Sequence, residues 1–144
     1  MSEPTYRPPN VSLLGEEHIR RYRQTGGEEG YIWNGVPTLL LTTTGRRSGQ
    51  ARTSALIFGR DGDDYLVVAS TGGAPRHPSW YLNLTGHPEA EIQVRRQHIP
   101  VVARTAGVDE KPRLWSIMTG VWPNYDVYQS RTDRAIPVVV LSPR

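Results

Sequence analysis

Cysteine is absent from this sequence of 144 residues, and lysine occurs once, at Lys111, beside sixteen arginines. Without cysteine the chain has no disulfide framework, no thiolate metal site and no cysteine nucleophile, and its composition fits a reducing compartment. No apolar run approaches the roughly eighteen residues that cross a bilayer, and the N-terminus MSEPTYRPPN lacks a secretion-signal pattern. These absences predict a cytoplasmic protein that does not span a membrane.

The length fits one domain with one core, and four tryptophans with seven tyrosines exclude wholesale disorder. The net charge is +3, with a pI of about 9.5. Arginine carries nearly all of the positive charge and is the better bidentate partner of phosphate and carboxylate. The charge therefore favours an acidic ligand, and no nucleic-acid-binding motif accompanies it.

Six short segments rich in β-branched or aromatic residues predict strands. An Asp-Gly turn between Phe58 and Tyr65, and the segment Arg95 to His98, predict hairpins. Hairpins favour antiparallel pairing, so the predicted fold class is α+β, a small barrel of about six mainly antiparallel strands with short flanking helices. The predicted strands are Thr38 to Thr44, Ser54 to Gly59, Asp64 to Ser70, Glu89 to Arg95, Ile99 to Thr105 and Ile136 to Leu141.

Three segments have helical patterns. Residues 11–25 predict a short amphipathic helix that packs on the domain, with a membrane-surface role as the alternative. Pro78 to Gly86 predicts two turns, with Pro78 at the first helical position and Gly86 just past the end. Asp109 predicts the cap of a helix that runs to Val121, and Pro123 ends that run and begins a further turn. Residues 1–10 contain three prolines and predict a poorly ordered arm.

The segment TGRRSGQAR, residues 44–52, is here named the arginine loop. It combines two glycines, Ser48 and three arginines between two predicted strands. Glycines permit tight backbone geometry, and freed amides with guanidinium groups can surround phosphate oxygens. The segment therefore predicts a phosphate site, the alternative being a solvated basic turn. It is not a Walker loop, because its glycines are too close and no Lys-Ser/Thr pair follows.

Two further groups of residues suggest a pocket. Ser70, Thr71, Gly72 and Gly73 end a buried strand, where they could hold a flat ring or simply connect a strand to a helix. Trp122, Tyr125 and Tyr128 have the spacing of either a core stripe or a pocket wall.

Other chemistry has little support in the sequence. The four histidines lack metal-ligand spacing, and we interpret each as a surface or turn residue. Ser70 and His77 lack the nucleophile-elbow pattern, and no carboxylates are paired for acid–base work. This pattern favours a protein in which a bound cofactor carries the reaction.

Taken together, three segments resemble the deazaflavin-dependent nitroreductase family of actinobacteria. They are LLLTTTGRRSGQARTSALIF, YLVVASTGGAPRHPSWYLNLTGHPEAEIQV and WPNYDVYQSRTDRAIPVVVL. The resemblance extends from about Tyr31 to Leu141. It implies a split β-barrel that binds coenzyme F-420, a two-electron hydride carrier with a phosphate and an oligoglutamate tail. Residues 31–144 would form this domain, after an arm and helix at 1–30.

The resemblance also implies roles for individual residues. The phosphate and acidic tail would bind the arginine loop, and the ring would lie against the Ser-Thr-Gly-Gly loop and the helix after it. Aromatic residues would cover the ring on the substrate side, with Tyr125, Tyr128 or Ser70 as candidate proton donors. The implied cofactor-binding residues are Arg46, Arg47, Ser48, Gly49, Arg52, Ser70, Thr71, Gly72, Gly73, Trp80 and Asn83, and the substrate-side residues are Trp122, Tyr125 and Tyr128.

The function implied is hydride transfer from reduced F-420 to a quinone or another flat conjugated acceptor, with nitroaromatics as further substrates. Two alternatives stay open: a split barrel that binds FMN, and a non-catalytic module that binds an acidic ligand. A transient contact with the inner membrane surface is a further expectation, because quinones are lipid-soluble. The sequence does not define the oligomeric state or the physiological acceptor.

Overall fold

The computed structural model describes residues 5–144. Within them the chain forms eight β-strands, four α-helices and one turn of 3₁₀ helix, Thr71–Gly73. The helices are α1 (Gly15–Thr25), α2 (Ser79–Gly86), α3 (Lys111–Val121) and α4 (Asn124–Ser130). The strands are β1 (Ile32–Trp33), β2 (Val36–Thr44), β3 (Ala51–Ile57), β4 (Gly59–Asp61), β5 (Asp64–Val68), β6 (Glu89–Val94), β7 (Gln97–Thr105) and β8 (Val138–Pro143).

The strands form one curled antiparallel half-barrel. The order along the sheet is β1-β2-β6-β7-β8-β5-β4, and β3 pairs with β2 outside this path. The predicted α+β class and antiparallel pairing are confirmed, and all six predicted strands are present. Two further strands, β1 and β4, were not predicted, because they are only two and three residues long.

Both predicted hairpins are confirmed. The β4–β5 hairpin pairs Asp61 with Asp64, and Gly62 between them has a φ of +59°. The β6–β7 hairpin pairs Val94 with Gln97. The glycine in the first turn meets the need for a positive φ without the steric cost that a Cβ would add.

Both faces of the central strands are buried. Val67 belongs to a core inside the curl, and its neighbour Leu66 belongs to a second core beneath α3 and α4. Successive residues of a strand point to opposite faces, so a strand covered on both sides is apolar at every position. This arrangement explains the continuous apolar runs of β5 and β8. The first core includes Leu39, Leu41, Ile92 and Leu141, and the second includes Val140, Leu114 and Met118.

The helices differ from the predictions mainly at their ends. The first begins at Gly15, not Val11, because Gly15 has a φ of +62° and Leu14 before it is extended. The third begins at Lys111, and its cap position is Glu110 rather than the predicted Asp109, with no side-chain hydrogen bond there.

The second helix also has slightly different ends. Pro78 stands at the cap position before the helix, and Gly86 is its last residue rather than the first one beyond. The predicted turn after Pro123 is α4, a helix of seven residues.

The N-terminal segment packs on the domain through specific contacts. Tyr22 of α1 is fully buried, and its hydroxyl donates to the carbonyl oxygen of Thr38 at 3.0 Å. Residues 5–10 have no regular secondary structure, but Arg7 and Asn124 exchange two hydrogen bonds of 3.0 and 2.8 Å. The rest of the predicted arm, residues 1–4, lies outside the described residues. None of the helices within 5–144 has the length and apolarity to cross a bilayer.

Candidate functional site

Within the arginine loop, residues 45–50 form a compact turn between β2 and β3. The amide of Gly45 donates to the Gln50 carbonyl and the amide of Gly49 to the Gly45 carbonyl, both at 2.8 Å. A Cβ on Gly45 would lie 2.8 Å from Ser48 Oγ, so a side chain there would displace the serine. The hydroxyl of Ser48 is held in turn by the amide of Gln50, at 3.1 Å.

Asn83 joins this loop to α2. Its Oδ1 accepts from the Arg46 amide at 3.1 Å and from Arg46 Nη1 at 3.0 Å, and its Nδ2 donates to Thr43 Oγ1 at 3.1 Å. Asn83 is buried, so these bonds form where water competes weakly. The loop and the helix therefore keep a fixed relation to each other.

Arg47 and Arg52 leave their charges unneutralised. Both are exposed, and within residues 5–144 neither side chain makes a hydrogen bond or an ion pair. Together with Arg46 they surround a cavity of about 360 Å³, here named the basic cradle, whose lining contains no carboxylate. Guanidinium groups bind phosphate and carboxylate oxygens through paired N–H donors, so this lining suits an anion. The cradle is lined by Gly45, Arg46, Arg47, Ser48, Arg52, Ser54, Ser79, Trp80 and Asn83.

The basic cradle adjoins a larger and mainly apolar cavity. This second space, named the ring cavity, has a volume of about 570 Å³, and Ser54 and Trp80 line both spaces. Its walls come from β3, the loop after β5, the start of α2, the start of α1 and the aromatic residues around α4. Its size falls in the range of small-molecule and cofactor sites.

The loop after β5 forms one edge of the ring cavity. Three successive residues, Thr71, Gly72 and Gly73, have positive φ angles of +46°, +61° and +85°. The carbonyls of Ser70 and Thr71 each accept a hydrogen bond from the amide three residues further on, that of Gly73 at 2.9 Å and that of Ala74 at 3.0 Å. Ser70, Thr71 and Gly72 line the cavity, whereas Gly73 packs against α4. The helix behind this loop begins at Ser79, one residue after the predicted first helical position at Pro78.

Aromatic side chains form another wall of the ring cavity. Trp122 Nε1 donates to the Tyr128 hydroxyl at 3.4 Å, and the rings of Tyr125 and Tyr128 meet edge to face, 6.0 Å apart. Burial, and to a smaller extent Tyr128, raises the pKa of Tyr125 well above its usual value. Tyr125 is therefore a neutral phenol at any physiological pH.

The structure adds residues to this wall that the sequence did not indicate. Trp33 lies 5.6 Å from Trp122, ring centre to ring centre, and its Nε1 donates to the Leu13 carbonyl at 2.7 Å. His18 also lines the cavity, and it is 3 % exposed. The interpretation of every histidine as a surface or turn residue is therefore wrong for His18. Its place four residues before the buried Tyr22, on the same helix face, was the available signal.

The tautomer of His18 follows from its partner. Its Nε2 lies 2.8 Å from the Gly30 carbonyl oxygen. A carbonyl can only accept, so Nε2 carries the proton. Ser70 and His77 are not arranged as a nucleophile and its base, because His77 Nδ1 faces Arg134 instead. No group of three candidate metal ligands occurs within residues 5–144.

Fold and site together define the class of protein. The chain is a split-barrel protein with an arginine-lined cavity beside a larger, mainly apolar cavity that aromatic side chains line. Residues 14–143 match the family described as "F420H(2)-dependent quinone reductase". The chain belongs to this family of oxidoreductases, whose cofactor is coenzyme F-420.

Individual relatives agree with this assignment. The chain is 47 % identical over 142 residues to the "F420H(2)-dependent quinone reductase Rv1261c" of Mycobacterium tuberculosis, an alignment that covers 96 % of this chain and 95 % of the relative. A solved "F420-H2 Dependent Reductase (FDR-A)" superimposes with a TM-score of 0.69 at 37 % identity, covering 74 % of this chain and 94 % of its own. A second solved structure, described as a domain-swapped dimer, superimposes with a TM-score of 0.71 at 35 % identity and covers 88 % of this chain and 95 % of its own.

The residues present fit this cofactor. Its phosphate and oligoglutamate tail require cations, and the cradle offers two guanidinium groups with no internal partner and a third held by Asn83. Its planar ring requires a dry slot, and the adjoining cavity is lined by Trp80, Trp122 and Tyr125, each no more than 8 % exposed. The two spaces share Ser54 and Trp80 in their linings, an arrangement that suits one elongated ligand.

Proposed function

We propose that this protein transfers a hydride from reduced F-420 to a quinone or similar flat acceptor, with the ring cavity as the place of reaction. The observation that carries the proposal is that the basic cradle and the aromatic cavity lie side by side and share Ser54 and Trp80 in their linings. When bound, the reduced deazaflavin supplies the hydride. The chain's own residues bind and orient the two reactants and exclude water.

In this proposal the arginine loop holds the charged end of the cofactor. Arg47 and Arg52 pair with phosphate or carboxylate oxygens, and the hydroxyl of Ser48 lines the same cradle. Arg46 and Asn83 connect the cradle to α2. Trp80, on that helix, and the loop Ser70–Gly73 then position the ring.

The aromatic wall receives the acceptor. Trp122, Tyr125 and Tyr128 line the same cavity as the loop after β5, so a flat acceptor held between them and the cofactor ring would be shielded from water. Holding two flat reactants together in the right orientation is the main contribution a protein makes to a hydride transfer.

Tyr128 is the best-placed proton donor among the three candidates. An indole N–H can only donate, so Trp122 Nε1 uses a lone pair of the Tyr128 hydroxyl oxygen. The hydroxyl hydrogen of Tyr128 is left to point at an acceptor oxygen in the cavity. Tyr125 is more deeply buried, and Ser70 lies on the cofactor side of the cavity.

Residues 1–30 have a separate role in the proposal, beside a cofactor domain at 31–144. Val11, Leu14 and Ile32 are apolar and each more than half exposed. Two contacts bring them to one side: Asn10 with Asn34, and Leu13 with Trp33. Leu14 also lines the ring cavity, so this side would admit a lipid-soluble quinone during a transient contact with the cytoplasmic membrane surface. Co-sedimentation with phospholipid vesicles, compared with a Leu14→Ser variant, tests this part.

The experiment that tests the function has two stages. First, F-420 is retained with the protein in ultrafiltration, and its fluorescence changes on binding. Second, reduced F-420 is mixed anaerobically with menadione, and reoxidation is followed with and without protein. Absence of binding rejects the proposal. A yellow protein that releases FMN on denaturation would support the FMN alternative, and F-420 binding without turnover of any quinone would support a binding module.

A further inference from the structure

Arg134, in the segment between α4 and β8, gathers the carbonyl groups of the loop that edges the ring cavity. Its Nη2 donates to the Ser70 carbonyl at 2.8 Å, its Nε to the Ala74 carbonyl at 2.8 Å, and both Nη atoms to the Ala69 carbonyl at 3.2 Å. One planar guanidinium thus holds both ends of the segment that contains the three positive φ angles. Arg134 itself does not line the ring cavity.

The same guanidinium also fixes the protonation state of His77. Nη1 of Arg134 lies 3.1 Å from His77 Nδ1. A guanidinium has only donors, so Nδ1 must present its lone pair, and the proton of the neutral ring is on Nε2. A proton on Nδ1 would point one N–H at another and break this contact.

The surroundings of His77 are consistent with a neutral ring. Burial, and then the charge of Arg134, lowers the pKa of His77. From α2 the ring meets Tyr81, whose centroid lies 4.8 Å away, and Arg76 is its neighbour in the chain. No carboxylate within residues 5–144 bonds to His77.

The loop needs such support, because a non-glycine residue at positive φ is strained and holds that conformation only when its surroundings enforce it. Thr71 is such a residue, with a φ of +46°. Within this turn the two backbone bonds from Gly73 and Ala74 fix only its interior. The bonds from Arg134 fix where the turn sits relative to β5 and α2.

We propose that Arg134 is the positioning residue for the cofactor ring. Its hydrogen bonds to the carbonyls of Ala69, Ser70 and Ala74 and to the Nδ1 lone pair of His77 hold the loop that forms the edge of the ring cavity. The inference rests on the proposed function. It adds a residue that acts through the loop rather than on the ring.

The first test measures the loop without any ligand. Hydrogen exchange at the amides of Gly73 and Ala74 should be at least tenfold faster in Arg134→Gln than in the wild-type protein, and Arg134→Lys should lie between. Arg60→Gln is the matched control, because Arg60 also bonds backbone carbonyls, in the β4–β5 hairpin away from both cavities. Unchanged exchange in Arg134→Gln and Arg134→Lys would overturn the proposal.

The second test measures F-420 affinity against pH by ultrafiltration. Arg134→Gln should bind at least tenfold more weakly at pH 7.5, with partial recovery in Arg134→Lys. His77→Asn keeps an oxygen acceptor near the Nδ1 position but cannot titrate. It should match the wild type at pH 7.5 and bind at least threefold more tightly than the wild type once the pH lies below the lowered pKa of His77, which an NMR titration of the ring locates. Comparing the two proteins at each pH cancels any titration of the ligand.

The outcomes separate the two proposals. If Arg134 had only a structural role, its variants would have lower melting temperatures, but F-420 affinity would change with pH in the same way in wild type and His77→Asn. Such parallel pH profiles would overturn the proposal. If wild-type protein does not bind F-420, the proposed function fails, and the exchange measurement still decides whether Arg134 sets the loop. Arg134→Lys and His77→Asn keep the tests available if Arg134→Gln does not fold.

Discussion

Gly72 and Gly73 are a matched pair for testing how the loop at the cavity edge packs. Both have positive φ, +61° and +85°. A Cβ on Gly72 would meet no atom within 4 Å, whereas a Cβ on Gly73 would lie 2.5 Å from the backbone oxygen of Tyr128 and 3.0 Å from Arg131 Cβ. Substitution by alanine therefore adds backbone strain at both positions and steric overlap at only one.

The expected magnitudes follow from these two contributions. Alanine at positive φ costs about 1–2 kcal/mol, and an extra methyl forced into a packed site costs a further ~1–3 kcal/mol. Gly72→Ala should lower the free energy of unfolding by about 1–2 kcal/mol and Gly73→Ala by about 2–5 kcal/mol. In a chain of this size 1 kcal/mol corresponds to about 3 °C, so the Tm of Gly73→Ala should lie about 3–9 °C below that of Gly72→Ala.

Urea unfolding followed by tryptophan fluorescence measures both variants, and ultrafiltration measures their F-420 affinity. Gly72 lines the ring cavity, so its added methyl should weaken F-420 binding beyond what the small loss of stability explains. Gly73→Ala should disturb α4 and therefore turnover. Equal stabilities would refute the packing of the loop on α4, and unchanged affinity in Gly72→Ala would refute the placement of the ring.

Two further predictions concern the ends of the site. Arg47→Ala and Arg52→Ala should each weaken F-420 binding by about 1–3 kcal/mol, as loss of a charged hydrogen bond does. Added salt should also weaken wild-type binding, because these side chains are exposed. If these variants bound F-420 as tightly as the control Arg60→Ala, the acidic end of the cofactor would lie elsewhere. Tyr128→Phe should lower kcat with menadione by about 10²-fold, the contribution typical of a general acid, with little change in the Kd of F-420. A larger effect on Kd than on kcat would show that the cofactor and substrate sides are exchanged.

Features set by short-range chemistry could be predicted from the sequence. The Asp-Gly turn, the β-branched runs and the glycines of the arginine loop each impose a local backbone geometry, so the hairpins, the strands and the fold class agree with the structure. The helix predicted to run to Val121 is confirmed as α3, and its Leu114 and Met118 are buried. Trp122 follows the end of the helix and reaches the same core.

Features set by distant partners were not predictable in the same way. Arg134 bonds residues that are 57 to 65 positions earlier in the chain, and no local pattern distinguishes it from the neighbouring Arg131. Trp33 lies on a two-residue strand too short to carry a period. The start of α1 depended on the φ of one glycine, which periodicity does not reveal.

The two halves of the site are mechanically connected through α2. Trp80 and Asn83 are three residues apart and so share one face of this helix. Asn83 holds Arg46 of the cradle, and Trp80 lines the ring cavity. In the proposed function, an anionic tail bound among the arginines would therefore act on the wall of the ring cavity over less than one helical turn. Binding energy gained on the non-reacting tail would in this way orient the reacting ring, so that a site with no dedicated acid–base pair would still promote hydride transfer.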